Sequence, residues 1–311
     1  MQFILSLKQV ITIFILMVVG FVCKKADFIH EVTVKDLTNL LLYIVSPCLI
    51  INSFLSTSFS EKSFKMFVSA LIVSGVMFIL NIVISNVIFH REHNPQRSAV
   101  FKYSTVYSNA GFMGIPLVQV FLGAKGVFFS TPFLVIYNLL MWSHGISLFN
   151  GSNHQKLRSQ LKSLIFNPNI IAAVVGVVIY LTRISLPNII HTPITSLAAI
   201  NTPLSMIVIG SNLSEISFKE VFNNRACWKG TFIRNLLIPV ISIGVLKLFA
   251  LSKTAFLALI IMMSCPVAGV VVLFSILNNY DVKFPTKMLC LSTIVSVITI
   301  PLLIWFAQLV I

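Results

Sequence analysis

Apolar runs of about 20 residues recur along almost the whole chain, and their recurrence constrains the fold more than any single motif does. A helix needs about 20 residues to cross a hydrocarbon core roughly 30 Å thick. Ten such runs stand between polar breaks, over residues 4–22, 37–55, 66–89, 103–122, 127–149, 168–186, 194–213, 230–251, 255–277 and 288–310. They leave no length for a soluble domain. Composition agrees: 57% of the 311 residues are hydrophobic and 10% are charged, whereas a typical soluble domain has about 25% charged residues. The expected fold class is an all-α integral membrane protein of ten transmembrane helices, with the lipid bilayer of the cell membrane as its partner.

The run at 4–22 lacks a basic stretch before it and a small-residue cleavage site after it, so it reads as a first span and not as a signal peptide. A net charge of +14 in a soluble protein would suggest nucleic acid, but here the lysines and arginines sit in short loops, and no nucleic-acid partner is expected. Fifteen of the 22 lie in the loops after spans one, three, five, seven and nine, and seven on the other side. The positive-inside rule makes the odd-numbered loops cytoplasmic and turns both termini outward. Five cysteines (Cys23, Cys48, Cys227, Cys265 and Cys290) follow no metal-type or disulfide-framework spacing. No metal site and no cofactor is expected.

Span four carries Tyr107-Ser108-Asn109-Ala110-Gly111-Phe112-Met113-Gly114-Ile115-Pro116-Leu117. Proline removes a backbone N–H and clashes with the carbonyl four residues earlier, here that of Phe112, while Gly111 and Gly114 let the backbone bend and let a neighbour approach. A helix interrupted at Pro116 is predicted. Freed backbone groups are tolerated at membrane depth only where they are packed in protein or line a wet cavity, which makes this segment a candidate binding site. The interruptions recur. Span two carries Leu37-Thr38-Asn39-Leu40 and then Pro47, span seven Ile194-Thr195-Ser196-Leu197 and then Pro203, and span nine Cys265-Pro266-Val267-Ala268-Gly269. Members of each pair, two with seven and four with nine, are five spans apart. An odd offset inserts the halves in opposite orientations. The expected organisation is two inverted repeats, residues 1–150 and 168–311, joined by a short cytoplasmic connector at 151–167.

All eight acids (Asp27, Glu31, Asp36, Glu61, Glu92, Glu215, Glu220, Asp281) fall in loops or at span ends. A carboxylate within a span costs about 2.5–3.5 kcal/mol on insertion scales and marks proton and cation pathways. Its absence argues against acid-mediated cation coupling and suits an anionic substrate. The intramembrane polar groups are Ser46 and Asn52 on span two; Ser104, Ser108 and Asn109 on span four; and Asn138 and His144 on span five. In the second half come Asn201, Ser205 and Asn212 on span seven, Arg234 and Asn235 on span eight, and Ser264 on span nine. Serines and asparagines also tie helices together by hydrogen bonds, but Asn109, two turns before Pro116 and beside the glycine hinge, reads as a ligand contact. His144, beside Trp142, reads as an interfacial histidine. Arg234 can snorkel to the interface or face inward and attract an anion. No zinc-protease motif, intramembrane Asp pair or activated nucleophile is present, so the protein is not expected to be an enzyme.

The segment Asn109-Ala110-Gly111-Phe112-Met113-Gly114-Ile115-Pro116-Leu117 resembles the signature of the auxin efflux carrier family, which includes plant auxin exporters and bacterial permeases for malate and malonate. The Asn167-Pro168-Asn169 start of span six, Arg234 with Pro239 in span eight, and Pro266 followed by Tyr280-Asp281 are similar as well. The resemblance implies a ten-helix fold related to the bile acid symporter and sodium–proton antiporter architecture, with broken helices four and nine crossing. Spans one, two, six and seven would form a scaffold and the rest a moving transport domain, with substrate by the crossing. Carried over by residue, Asn109 and Pro116 fall on the span-four motif, Pro266 on the span-nine motif, and Ser46 and Pro47 on the span-two wall of the site. Ser264-Cys265-Pro266-Val267 departs from the alanine-rich or proline-rich run of the family.

The reading is a permease for a small organic anion, a mono- or dicarboxylate such as malate, working by elevator-like alternating access. The substrate-binding candidates are Asn109, Gly111, Gly114, Pro116, Ser46, Pro47, Ser264, Pro266, Gly269, Asn138 and Arg234. A sodium-coupled organic-acid carrier and a non-transporting receptor for an organic acid stay open as alternatives, as does a homodimer.

Overall fold

The computed structural model describes residues 2–149, 166–214 and 218–311. In chain order the helices are α1 (Gln2–Lys25), α2 (Glu31–Leu40), α3 (Ser46–Leu55), α4 (Glu61–Ile88), α5 (Pro95–Val106), α6 (Ile115–Leu140), α7 (Pro168–Thr182), α8 (Asn188–Ala199), α9 (Asn201–Leu213), α10 (Phe218–Phe222), α11 (Arg225–Phe232), α12 (Ile238–Leu246), α13 (Lys253–Ser264), α14 (Val270–Leu277) and α15 (Lys283–Val310). Four wide π turns join some of them end to end: π1 (Leu41–Val45), π2 (Ala110–Gly114), π3 (Met141–Gly145) and π4 (Ile233–Leu237). Among the described residues there is no strand, and one isolated antiparallel bridge links Ser108 and Val267.

Among the described residues, six continuous helical stretches are long and apolar enough to cross a membrane: Glu31–Leu55, Glu61–Ile88, Ala110–Gly145, Asn188–Leu213, Arg225–Leu246 and Lys283–Val310. Two shorter apolar helices are Pro168–Thr182 and Lys253–Ser264. The stretch Ala110–Gly145 has 36 residues, about 54 Å if straight and too long for one crossing. It turns at Gly123, whose φ of 63° and ψ of −162° lie outside helical space. Only glycine adopts that conformation without strain, and it divides the apolar runs expected at 103–122 and 127–149. The connector expected at 151–167 lies outside the described residues except for Phe166 and Asn167.

Local chemistry explains where helices start. Asn94, Asn167 and Asn224 accept hydrogen bonds from the first-turn N–H groups of α5, α7 and α11, and Ser60 and Ser252 do the same for α4 and α13. Pro95 and Pro168 follow two of these caps, at the position where a missing N–H costs nothing.

Two prolines expected to interrupt helices, Pro47 and Pro116, are instead absorbed by π turns, and Pro239 is accommodated in the same way. Pro47, Pro116 and Pro239 each stand two residues after the end of π1, π2 and π4. In each case the residue before the proline donates its N–H five residues back: Ser46 to Leu41, Ile115 to Ala110, and Ile238 to Ile233. Widening the turn moves the carbonyl that would meet the proline ring and keeps the helix going. Pro116 therefore breaks nothing. The backbone around it is helical, and the interruption predicted there lies upstream, at residues 107–109.

α1 packs along α9 at very close range. A Cβ on Gly210 would stand 1.8 Å from the Met17 carbonyl oxygen, and one on Gly20 would stand 2.1 Å from that of Ile207. Ser211 Oγ donates across the same contact to the Gly20 carbonyl at 3.1 Å. Small residues that let two backbones meet are a device of membrane helices, which have no hydrophobic drive to associate in lipid. α3 packs on α7 and α8, with Gly176 of α7 fitted to the ring of Phe54. A second group forms around α6 and α13, with α4 and α15 against them and α5 against α4. Phe54, Phe67, Phe128 and Tyr180 cluster where the two groups meet, Phe54 edge to face with Phe128 and Tyr180 and the other pairs tilted.

Candidate functional site

Two helices stop in mid-course and cross. α5 ends at Val106, Tyr107 is extended (φ −104°, ψ 111°), and π2 begins at Ala110. α13 ends at Ser264, Cys265 is extended (φ −65°, ψ 148°), and α14 begins at Val270. The second break is local chemistry, since a residue before proline is pushed out of the helical region and Cys265 precedes Pro266. The first has no proline in it and is held by the second. Asn109 N–H donates to the Pro266 carbonyl at 2.7 Å, and Ala268 N–H to the Tyr107 carbonyl at 3.2 Å. Each break supplies the backbone partners that the other has lost.

The crossing is braced from behind by α11–π4–α12 and α15. Arg234, in π4, is 0% exposed. Its Nε donates to the Cys265 carbonyl at 3.0 Å, Nη1 to that of Thr105 at 3.0 Å, and Nη2 to that of Met263. These are C-terminal carbonyls of α5 and α13 that no helix N–H can reach. Arg234 therefore neither snorkels nor stands open to solvent; its guanidinium caps both half-helices. The neighbouring Asn235 donates to the Ser292 carbonyl at 2.7 Å and accepts from Ser292 Oγ at 2.7 Å. Ser292 Oγ in turn accepts the Val267 N–H at 2.9 Å. Side chains of span eight and of α15 thus complete the hydrogen bonding of the span-nine break.

The other side is more open. Asn109 is 9% exposed and its side chain caps nothing at the start of π2. Gly111 is half-buried, and a Cβ there would meet no atom within 4 Å. Gly114 differs, since its Cβ would stand 2.7 Å from Met262 Sδ and 3.4 Å from Cys265 Sγ. Gly114 is a packing glycine, whereas Gly111 borders free space. Alanine at Gly114 is expected to lower the melting temperature of the detergent-solubilised protein by overpacking, at about 1–3 kcal/mol. Alanine at Gly111 should leave it unchanged or raise it, by up to about 1 kcal/mol, because it relieves a helical glycine. Equal melting temperatures for the two variants would refute this division.

Phe112, from π2, packs against both the large core and a small cluster of Leu41, Val45 and Val208. It carries the crossing onto π1 and α9. Beyond it Ser46 Oγ donates to Asn201 Oδ1 at 3.2 Å, and Asn201 Nδ2 is buried without a partner. Pro47 is half-buried beside Ser46. In the second half Ser264 is buried with its hydroxyl unpartnered, Pro266 supplies the carbonyl to Asn109, and Gly269 is exposed at the start of α14. Asn138 is committed elsewhere: Nδ2 donates to the Leu134 carbonyl at 2.8 Å and Oδ1 accepts from Asn167 at 3.1 Å.

Some residues that hold the crossing carry no sequence signal. Tyr107 Oη donates to the Leu140 carbonyl at 2.8 Å and lies 3.0 Å from His144 Nδ1, so the histidine read as interfacial touches the crossing through Tyr107. Ser292 is one serine among many on apolar helices. Asn81 of α4, 0% exposed, reaches Met263 Sδ at 3.6 Å.

The family model described as membrane transport protein matches residues 5–159 and 154–304. A curated relative named an uncharacterized transporter, from Methanothermobacter thermautotrophicus, is 23% identical over 307 residues, covering 97% of this chain and 98% of that protein. The helical membrane architecture and these matches agree that the protein is of the membrane-transporter kind. With nearly its whole length matched, the chain belongs to the membrane transport protein family, that of the auxin efflux carriers.

Proposed function

We propose that the protein is a secondary transporter for a small organic anion, a mono- or dicarboxylate such as malate. The charge balance around the crossing carries this reading. Arg234 is the one charged side chain buried among the described residues, and the described acids Asp27, Glu31, Asp36, Glu61, Glu92, Glu220 and Asp281 are exposed or half-exposed. A site with buried positive charge and no carboxylate favours an anion. The starts of π2 and α14 add the positive ends of two half-helices. The N–H groups of Gly111 and Phe112 lie in the first turn, where no preceding helical carbonyl serves them.

The substrate carboxylate sits on the Asn109 amide and the first turn of π2, in the space beside Gly111. Ser46 and Pro47 form the facing wall. Pro116, Gly114, Ser264, Pro266 and Gly269 shape the crossing. Arg234 supplies charge from behind it, and Asn138 ties α6 to the start of α7. The chain is organised as ten spans in two inverted halves, residues 1–150 and 168–311, with both termini outside the cell membrane. α1, α2, α3, α7, α8 and α9 form the scaffold, and the remainder carries the crossing past it in an elevator-like step. Transport follows the substrate gradient and membrane potential, or exchanges one anion for another.

The test is uptake of labelled carboxylates, malate first, into proteoliposomes under an imposed potential, with native protein and Asn109→Ala. The expected result is potential-sensitive uptake that falls about tenfold or more in the variant, whose melting temperature stays near native because that side chain bonds nothing. Unaltered uptake in the variant would remove Asn109 from the site. No uptake of any carboxylate by native protein would overturn the substrate class and favour the receptor reading.

A further inference from the structure

We propose that the guanidinium of Arg234 is a tethered cation, filling the place at the helix crossing where a secondary carrier would otherwise load an external cation, so that transport needs none. The inference rests on the reading of the crossing as the transport site and goes beyond it by assigning the coupling.

Where two half-helices bring their carbonyl ends together, two negative poles face each other. In carriers with broken helices, unwound carbonyls and half-helix C-terminal ends are the ligands that coordinate sodium. Here those ligands converge on one side chain. Thr105 belongs to the end of α5, Met263 to the end of α13 and Cys265 to the break, and the carbonyls of all three accept from Arg234. The surrounding side chains suit a cation too. Ser104 Oγ, Thr105 Oγ1, Ser264 Oγ and Asn81 Oδ1 are buried oxygens without hydrogen-bond partners, on or beside the same two helix ends. Carbonyl, hydroxyl and amide oxygens are the donor set of hard cations.

What distinguishes this locus is that its positive charge is covalently part of π4. No buried acid pairs with Arg234 among the described residues. Its charge is balanced by helix carbonyls alone, so it serves the two half-helices as a bound ion would. A carrier with a permanent occupant there has no vacancy for sodium. Its crossing is also permanently positive, which draws an anion to the opposite face without a co-ion.

The first measurement uses no substrate. Thermal unfolding of the detergent-solubilised native protein and of Arg234→Ala is followed at constant ionic strength while choline is replaced by sodium, potassium or millimolar guanidinium. Native unfolding is expected to be indifferent to the cation. The variant should melt lower and be raised saturably by guanidinium or N-methylguanidinium, since either fits the vacated carbonyls. Saturable stabilisation of native protein by sodium would overturn the proposal, because a loadable site would then exist beside Arg234. A folded variant that no cation stabilises would overturn it equally. Should Arg234→Ala fail to fold, Arg234→Lys keeps a tethered charge and is expected to fold and remain indifferent to sodium; sodium stabilisation of that variant or of native protein decides against the proposal.

The second measurement is uptake in the same proteoliposomes. Native uptake should be unchanged when sodium is replaced by choline, and uptake by Arg234→Ala should fall about tenfold and recover in guanidinium. Cation-dependent recovery is a signature that a purely architectural arginine would not produce. If no substrate is transported at all, the unfolding results still stand, so failure of the anion reading and failure of the tethered cation are distinguishable.

Discussion

Valine at Gly210 is expected to lower the melting temperature steeply, with a loss on the order of 3 kcal/mol or more. The reason is the position of main chain, which cannot swing aside as a side chain can. The added Cβ would sit 1.8 Å from the Met17 carbonyl oxygen, far inside van der Waals contact, and the two γ-methyls have no room either. α1 and α9 would have to separate along their whole contact. That separation would also break the Ser211 bond to Gly20. Gly20→Val should behave alike, because the contact is reciprocal. Gly75 and Gly244 are the controls, since a Cβ at either meets no atom within 4 Å, and valine at either should melt within about 1 kcal/mol of native. A Gly210→Val protein that melts with the controls would show that α1 and α9 do not approach as described.

Ser292→Ala is expected to give the second large effect, about 2–6 kcal/mol of destabilisation together with impaired transport. The hydroxyl accepts from Val267 N–H and donates to Asn235 Oδ1, and all three residues are buried. Alanine leaves a buried donor and a buried acceptor unsatisfied, at about 1–3 kcal/mol each. Val267 is the residue bridged to Ser108, so the damage lies in the crossing itself. Ser292→Thr retains the hydroxyl and should recover much of the loss, whereas Ser275→Ala, which removes a bond only to its own helix at Val271, should cost about 1 kcal/mol or less. The readouts are melting temperature and proteoliposome uptake. Equal behaviour of Ser292→Ala and Ser275→Ala would remove Ser292 from the brace.

Much of the architecture was legible in order along the chain. Apolar runs marked the helices because a bilayer demands about 20 apolar residues in succession, and Asn94-Pro95, Asn167-Pro168 and Asn224 marked helix starts because caps are local. Pro266 marked its own break for the same reason. Pro116 misled. Its i−4 clash is real, but a π turn removes it at the expense of one widened ring of hydrogen bonds, and the same solution recurs at Pro47 and Pro239. Nothing within Tyr107-Ser108-Asn109 forbids a helix. That segment is extended because Pro266 and Ala268 offer it partners.

The sequence by itself determined that this chain lives in a membrane, that its acids avoid the spans, and that Asn109, Gly111 and Pro266 belong to unusual backbone. These are properties of composition and of neighbours within a few residues, which act before any tertiary contact forms. Only the tertiary structure decided the rest. It brought Ser108 against Val267, Gly20 against α9, and Ser292 under the break, each across more than 20 residues of intervening chain. It also resolved Arg234, whose long side chain could have reached the interface or the interior with equal ease. The carbonyl ends of α5 and α13 meet at its guanidinium, and a buried charge goes where enough acceptors converge to hold it.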